Sequence, residues 1–134
     1  MNKRTILLVD DEPHVIRVLR LMLEREGYEV VSANDGAEAL ARIGARRPDV
    51  MVSDIQMAGM DGRELCRTVR ERYPDDLFPI FVMTSMTASG ERDWVRELAN
   101  VDFLEKPLSP RQLVARLATH FAHAATRQET THAA

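Results

Sequence analysis

Acidic side chains, a threonine and a lysine stand where the apolar segments of this sequence end. Asp10 and Asp11 follow one apolar run, Asp54 closes a second, Thr84 closes a third, and Lys106 follows a fourth. In a parallel α/β sheet the carboxyl ends of the strands share one edge, and ligands bind at that edge. We therefore expect these five side chains to line one pocket.

The three carboxylates predict a site for a hard divalent cation. Asp10, Asp11 and Asp54 offer only oxygen ligands, which suit Mg²⁺ better than zinc. Mg²⁺ also shares its ligands readily with phosphate, and Lys106 and Thr84 supply a positive charge and a hydroxyl donor for phosphate oxygens. Each acid could instead cap the helix that follows its strand. The placement of these five groups at the ends of four strands favours the ligand site.

Length and composition fit one globular domain. The chain has 134 residues, 45% of them hydrophobic, and a formal net charge of −3, which does not favour direct binding of nucleic acid. Its single cysteine, Cys66, excludes an internal disulfide, and no apolar stretch approaches the length of a membrane span. We predict a cytoplasmic protein that binds neither membrane nor nucleic acid.

Apolar runs and amphipathic stretches alternate five times, which predicts βα repeats around a doubly wound parallel sheet. Helix starts are marked by Pro13 and by the capping-box pairs Asp35/Glu38, Asp61/Glu64 and Ser109/Gln112, and a fourth helix is expected at 90–99. The predicted strands are 5–9, 29–33, 50–54, 79–83 and 101–105. We assign 4–122 to one domain and predict a disordered tail at 123–134, where little can be buried.

These segments resemble a known family. The motifs are Ile6 to Pro13, Asp54 to Gly62, Val82 to Ser85 and Phe103 to Pro107. In this order and at these spacings they are similar to those of response regulator receiver domains, the phospho-acceptor modules of two-component signalling. The resemblance implies a flavodoxin-like (βα)5 fold with strand order 2-1-3-4-5.

The resemblance also implies roles for the pocket residues. Asp54 is expected to take a phosphoryl group from a phosphohistidine on a sensor histidine kinase or a histidine phosphotransfer protein. Asp11 and Asp54 are expected to bind Mg²⁺ together with the Gln56 backbone carbonyl, and Asp10 is expected to act directly or through water. Lys106 is expected to pair first with Asp54 and then with the phosphoryl oxygens.

Phosphorylation is expected to alter a surface. Thr84 would turn toward the phosphoryl group, Phe103 would swing inward, and the face of the fourth helix, fifth strand and fifth helix would change. The output is then contact with an unidentified protein target or a phosphorelay, and the sequence leaves open a phosphorylation-dependent homodimer. No enzyme acting on a separate substrate is expected, although the chain would assist its own phosphorylation and dephosphorylation.

Some positions depart from the family pattern or tune it. Ala58 replaces the usual proline four residues after the acceptor, which predicts a more mobile loop. Gln56 and Met86 stand where the family tunes loss of the phosphoryl group, and neither is a strong general base. We therefore predict no unusually rapid self-hydrolysis.

Two other functions remain as alternatives. The first is a Mg²⁺-dependent aspartyl-phosphate phosphatase or phosphotransferase, which would want a second aspartate two residues after the first, where this chain has Glu12. The second is a docking pseudo-receiver that is never phosphorylated. Missing acids or a missing lysine would favour it, and all of them are present.

Overall fold

Strands and helices alternate along the part of the chain that the structure describes. The computed structural model describes residues 3–85, 89–106 and 109–133, and of these the side chains of 89–92 and 123–133 are not described. The elements are β1 (Thr5–Val9), α1 (Pro13–Arg25), β2 (Glu29–Ala33), α2 (Gly36–Ala45), β3 (Val50–Asp54), α3 (Gly62–Arg72), β4 (Ile80–Thr84), α4 (Ser89–Glu97), β5 (Val101–Glu105) and α5 (Pro110–Ala133).

The strands form one parallel sheet in the order β2-β1-β3-β4-β5. The chain moves outward in both directions from β1 and β3, so the helices cover both faces. This arrangement confirms the predicted fold class, a doubly wound, flavodoxin-like sheet with order 2-1-3-4-5. It also places the carboxyl ends of all the strands at one edge.

Alternation along each strand divides the core in two. In β1, Ile6 and Leu8 pack toward α1 and α5, whereas Leu7 and Val9 pack toward α2, α3 and α4. All five residues of β1 are buried, as expected for a strand covered by helices on both faces. The continuous apolar runs in the sequence therefore reflect burial on both sides of the sheet.

Side-chain caps begin three helices where the sequence predicts them. Asp35 accepts a hydrogen bond from the Glu38 N–H at 2.8 Å, and Asp61 accepts one from the Glu64 N–H at 2.9 Å. Ser109 and Gln112 form a reciprocal pair, in which each side chain accepts from the other residue's N–H. These caps fix where the helices start relative to the sheet edge.

Some boundaries differ from the predictions. Strand β4 runs one residue later than expected because Thr84 pairs with Glu105 and extends the ladder. Helix α4 ends at Glu97, two residues early, and is followed by Asn100 in a left-handed conformation with φ 58°. In α1, Ile16, Leu19 and Leu23 are buried in the core.

Helix α5 extends to Ala133, past the predicted end of the domain. The disordered tail predicted at 123–134 remains a prediction. Within the described residues, the structure contains no helix with both the length and the apolar character that a membrane crossing requires.

Candidate functional site

Three carboxylates meet at the carboxyl edge of the sheet. Strands β1 and β3 are paired so that Val9 lies opposite Ser53, which brings Asp10 and Asp54 to neighbouring strand ends. One oxygen from each of Asp10, Asp11 and Asp54 lies within 4.8 Å of the others. Asp10 and Asp54 are buried and Asp11 is exposed, so the cluster opens to solvent on one side.

Asp10 lies deepest in this cluster. Its Oδ1 accepts a hydrogen bond from the Glu12 N–H at 3.0 Å. Burial raises the pKa of the Asp10 carboxyl above its ordinary value, and repulsion by Asp54 adds to this effect, while the Glu12 N–H and Lys106 oppose it. Burial of the charged form is therefore the main reason why ionisation of Asp10 is unfavourable in this pocket.

Lys106 supplies the cation of the pocket. Its Nζ lies 2.9 Å from Asp54 Oδ1. The Lys106 N–H donates to the Thr84 carbonyl at 2.8 Å, which ties the residue after β5 to the end of β4. The lysine thus reaches Asp54 from a backbone anchored two strands away from β3.

The loop between β3 and α3 directs backbone N–H groups at two of the carboxylates. The Gln56 N–H lies 3.4 Å from Asp54 Oδ1, and the Ala58 N–H lies 3.4 Å from Asp11 Oδ2. Gly59 adopts a positive φ of 76°, which glycine accepts without strain. Ala58 therefore gives the loop a backbone donor that a proline would lack.

Gly62 brings the start of α3 directly against the backbone of Asp54. A Cβ at this position would lie 2.7 Å from the Asp54 carbonyl oxygen and 2.8 Å from the Ile55 Cα. The Gly62 N–H donates to the Ile55 carbonyl at 2.9 Å. Our sequence predictions gave Gly62 no such role; its place directly after the helix cap Asp61 was the available signal.

Thr84 and Phe103 lie on the neighbouring strands. Thr84 is buried at the carboxyl end of β4, one residue beyond Met83, which pairs with Asp54. Phe103 is partly buried and packs against the core on the α2, α3 and α4 side. The structure therefore places Thr84 at the pocket edge and Phe103 further down the adjacent strand β5, while Met86 and Pro107 lie outside the described residues.

The donor set fits a hard divalent cation. Three carboxylate oxygens converge, and one side of the cluster is open to water. Mg²⁺ favours oxygen ligands and retains several waters, which an open acidic cluster allows. The cluster formed by Asp10, Asp11 and Asp54 could therefore hold a metal ion.

Sheet order and pocket together define a doubly wound α/β protein with an acidic ligand site at the carboxyl edge. The chain belongs to the response regulator receiver domain family, whose model matches residues 6–118. It is 38% identical over 117 residues to the alkaline phosphatase synthesis transcriptional regulatory protein PhoP of Bacillus subtilis, over 87% of this chain and 48% of that protein. The chain thus spans about half the length of this curated relative.

Solved structures agree with this assignment. The chemotaxis protein CheY4 of Vibrio cholerae superimposes with a TM-score of 0.82 at 31% identity, over 88% of this chain and 98% of that one. A response regulator receiver protein from Pseudomonas putida gives a TM-score of 0.78 at 30% identity, over 89% and 98% of the two chains. The predicted family is confirmed: the chain is a receiver domain of a two-component response regulator.

Proposed function

We propose that Asp54 accepts a phosphoryl group from the phosphohistidine of a sensor histidine kinase or a histidine phosphotransfer protein. One observation carries the proposal: Lys106 Nζ lies 2.9 Å from Asp54 Oδ1, beside the oxygens of Asp10 and Asp11. A nucleophilic carboxylate, a fixed cation and an acidic metal site are the groups that phosphoryl transfer requires in one place.

The transfer forms one bond and breaks one. An Asp54 oxygen attacks phosphorus as the bond from phosphorus to the imidazole nitrogen breaks, and the imidazole leaves. Both described hydrogen bonds to the Asp54 carboxylate fall on Oδ1, from Lys106 Nζ and the Gln56 N–H, so we assign Oδ2 as the attacking oxygen. Lys106 and Gln56 thereby orient the nucleophile.

Asp11, Asp54 and the Gln56 backbone carbonyl are the proposed Mg²⁺ ligands, with Asp10 acting directly or through water. A bound Mg²⁺ would neutralise charge that develops on the phosphoryl oxygens during transfer. Asp10 and Asp54 are buried, and the exposed Asp11 lies at the rim. This arrangement leaves the solvent side of the site for the phosphoryl oxygens.

Transfer changes the charge at the carboxyl edge. The product carries a charge of about −2 and new acceptor oxygens. Lys106, already within hydrogen-bonding distance of Asp54, pairs with these oxygens, and the Thr84 hydroxyl turns to donate to them. The pocket residues therefore accept the phosphoryl group and also respond to it after transfer.

The output is a change in the surface formed by α4, β5 and α5. Movement of Thr84 at the end of β4 lets Phe103 turn further inward from its partly buried position on β5. This surface then contacts a downstream protein, or the phosphoryl group passes along a relay. The proposed setting is the cytoplasm, and phosphorylation-dependent pairing of two copies is a further form that this output could take.

Stoichiometric labelling tests the proposal. The purified chain is incubated with acetyl phosphate and Mg²⁺, and incorporated phosphoryl is measured by intact mass. We expect one phosphoryl group per chain, none after removal of Mg²⁺ by a chelator, and none in Asp54→Asn.

Asp75→Asn is the matched control, because Asp75 is an exposed aspartate away from the pocket. It should label like the wild type. Release of phosphate in large excess over protein would instead support a phosphatase, and no labelling of the wild type would support a docking pseudo-receiver.

A further inference from the structure

Arg70 makes an unusual set of contacts in the last turns of α3. It is 9% exposed. Its Nε donates to the Ala99 carbonyl at 2.8 Å, and its Nη2 donates to the Phe78 carbonyl at 2.6 Å and to the Asn100 carbonyl at 3.2 Å. One side chain therefore joins α3 to the segment before β4 and to the turn before β5.

The charge of this guanidinium is not matched by a close carboxylate. Among the residues described, the structure shows no ion pair to Arg70, and its Nη1 is buried without a hydrogen-bond partner. Burial lowers the pKa of Arg70, and attraction from Cys66 and Asp76 offsets this only in part. A buried charge of this kind is unfavourable unless its hydrogen bonds compensate. The three hydrogen bonds to carbonyl groups are therefore the main compensation for burying Arg70.

The contacted turn, residues 98–100, is fixed by a second set of bonds. Asn100 has φ 58°, and its Nδ2 donates to the Leu77 carbonyl at 2.7 Å. The Asn100 carbonyl also accepts from the Ile80 N–H at 3.0 Å. The end of α4 is thus held to α3, to the segment before β4 and to β4 itself.

The other contacts of α4 are either non-directional or exposed to solvent. Trp94 and Val95 are buried in the core on the α2, α3 and α4 side, where contacts are apolar and not directional. Arg67 Nη2 lies 3.7 Å from Glu97 Oε2, but both side chains are largely exposed. Directional contacts in the described part of α4 and its following turn are therefore concentrated at residues 99 and 100.

We propose that Arg70 is a positioning residue that fastens the α4–β5 turn to α3, so that α4 moves about this turn when Asp54 is phosphorylated. The inference rests on the proposed function, because it concerns how the phosphoryl signal moves α4. Without the fastened turn, α4 can shift whether or not the pocket is phosphorylated. The position of α4 then depends less strongly on phosphorylation of Asp54.

Trp94 is a built-in probe of this motion, because it is the chain's single tryptophan and lies buried in α4. Acetyl phosphate and Mg²⁺ are added to the wild type, Arg70→Met and Arg70→Lys. Trp94 emission and phosphoryl incorporation are measured on the same samples. Arg72→Met is the matched control, because Arg72 is an exposed arginine on the same helix.

All four proteins should reach the same phosphoryl stoichiometry, because Arg70 lies at the opposite end of the sheet from Asp54. The change in Trp94 emission per phosphoryl group should fall by roughly twofold or more in Arg70→Met, a size typical of residues that carry coupling between sites. Arg70→Lys should be intermediate, because one ammonium cannot serve three carbonyls as the guanidinium does. Arg72→Met should match the wild type.

A full Trp94 response in Arg70→Met, or no Trp94 response in the phosphorylated wild type, overturns the inference and leaves the proposed function standing. Absence of phosphoryl from the wild type overturns the proposed function and this inference together. If circular dichroism shows that Arg70→Met does not fold, Arg70→Lys decides by the same criterion. A purely structural role would lower stability but would not change the response per phosphoryl group.

Discussion

Two cations serve opposite ends of the sheet, and they differ in their partners. At the carboxyl edge, Lys106 pairs with the Asp54 carboxylate at 2.9 Å. At the amino ends of β4 and β5, Arg70 donates to three backbone carbonyls. A carboxylate can be modified and its cation can change partner, whereas backbone carbonyls are permanent. The comparison indicates that covalent modification can alter the carboxyl edge of the sheet, whereas the contacts at the amino ends of β4 and β5 stay fixed.

The largest effect is expected at Lys106. Lys106→Met should slow the initial rate of labelling by acetyl phosphate by roughly 10²- to 10³-fold, because a preorganised charge at the reacting group is lost. The rate is measured by intact mass over time. Lys3→Met, at the chain's other lysine, is the control and should keep the wild-type rate. A wild-type labelling rate in Lys106→Met would mean that phosphorylation at the carboxyl edge does not depend on Lys106.

Gly62 is expected to give the next largest effect. Gly62→Ala would place a Cβ 2.7 Å from the Asp54 carbonyl oxygen, so the loop or α3 must move. We expect a loss of about 1–3 kcal/mol in the free energy of unfolding, measured by urea denaturation, together with slower labelling of Asp54.

Gly44→Ala is the matched control for Gly62→Ala. Gly44 also lies in a helix, but an added Cβ would meet only the Tyr73 hydroxyl at 3.6 Å. Because alanine favours helix, this change should stabilise the protein by up to about 1 kcal/mol. Equal destabilisation by both changes would show that contact with the Asp54 backbone is not the cause.

Asp10 allows a prediction about pH. Its pKa is raised in the folded protein, chiefly by burial, so the ionised carboxyl destabilises the fold at neutral pH. This destabilisation should disappear as the pH falls through the raised pKa toward the ordinary pKa of an aspartate. Asp10→Asn should therefore stabilise the metal-free protein at pH 7, by less than Gly62→Ala destabilises it.

Thermal unfolding in a chelating buffer from pH 7 to pH 4 measures this difference. The gain from Asp10→Asn should shrink steadily toward low pH. Asp75→Asn, at an exposed aspartate, should show no such trend. A gain that stays constant with pH would mean that burial of the charge at position 10 is not what destabilises the pocket.

Much of the fold could be predicted because two simple patterns agree. Continuous apolar runs mark strands that are buried on both faces, and four strands have the predicted bounds. Capping residues mark the helix starts independently of the runs. Asp10, Asp11, Asp54 and Lys106 could be placed together because parallel strands end at one edge, and the structure brings these four residues to one pocket.

Arg70 and Gly62 could not be assigned in the same way. An arginine on an amphipathic helix is normally exposed, and only the carbonyls of residues distant in sequence make its burial favourable. Gly62 matters because of a backbone approach that no side-chain pattern records. The early end of α4 could not be predicted either, because the turn at Asn100 depends on contacts to Arg70 and Leu77.

The smallest effect is expected at Arg67, which also joins α3 to α4 but on the surface. Arg67 and Glu97 are 46% and 64% exposed, and their closest atoms are 3.7 Å apart. A double-mutant cycle with Arg67→Met and Glu97→Gln should give a coupling energy below about 0.5 kcal/mol, and less at high salt. Water screens this pair, whereas Arg70 is only 9% exposed and its hydrogen bonds are buried or partly buried. A coupling above about 1 kcal/mol that persists in high salt would show that the surface pair also fastens α4. The contrast between the alterable carboxyl edge and the fixed opposite end of the sheet would then no longer rest on Arg70 alone.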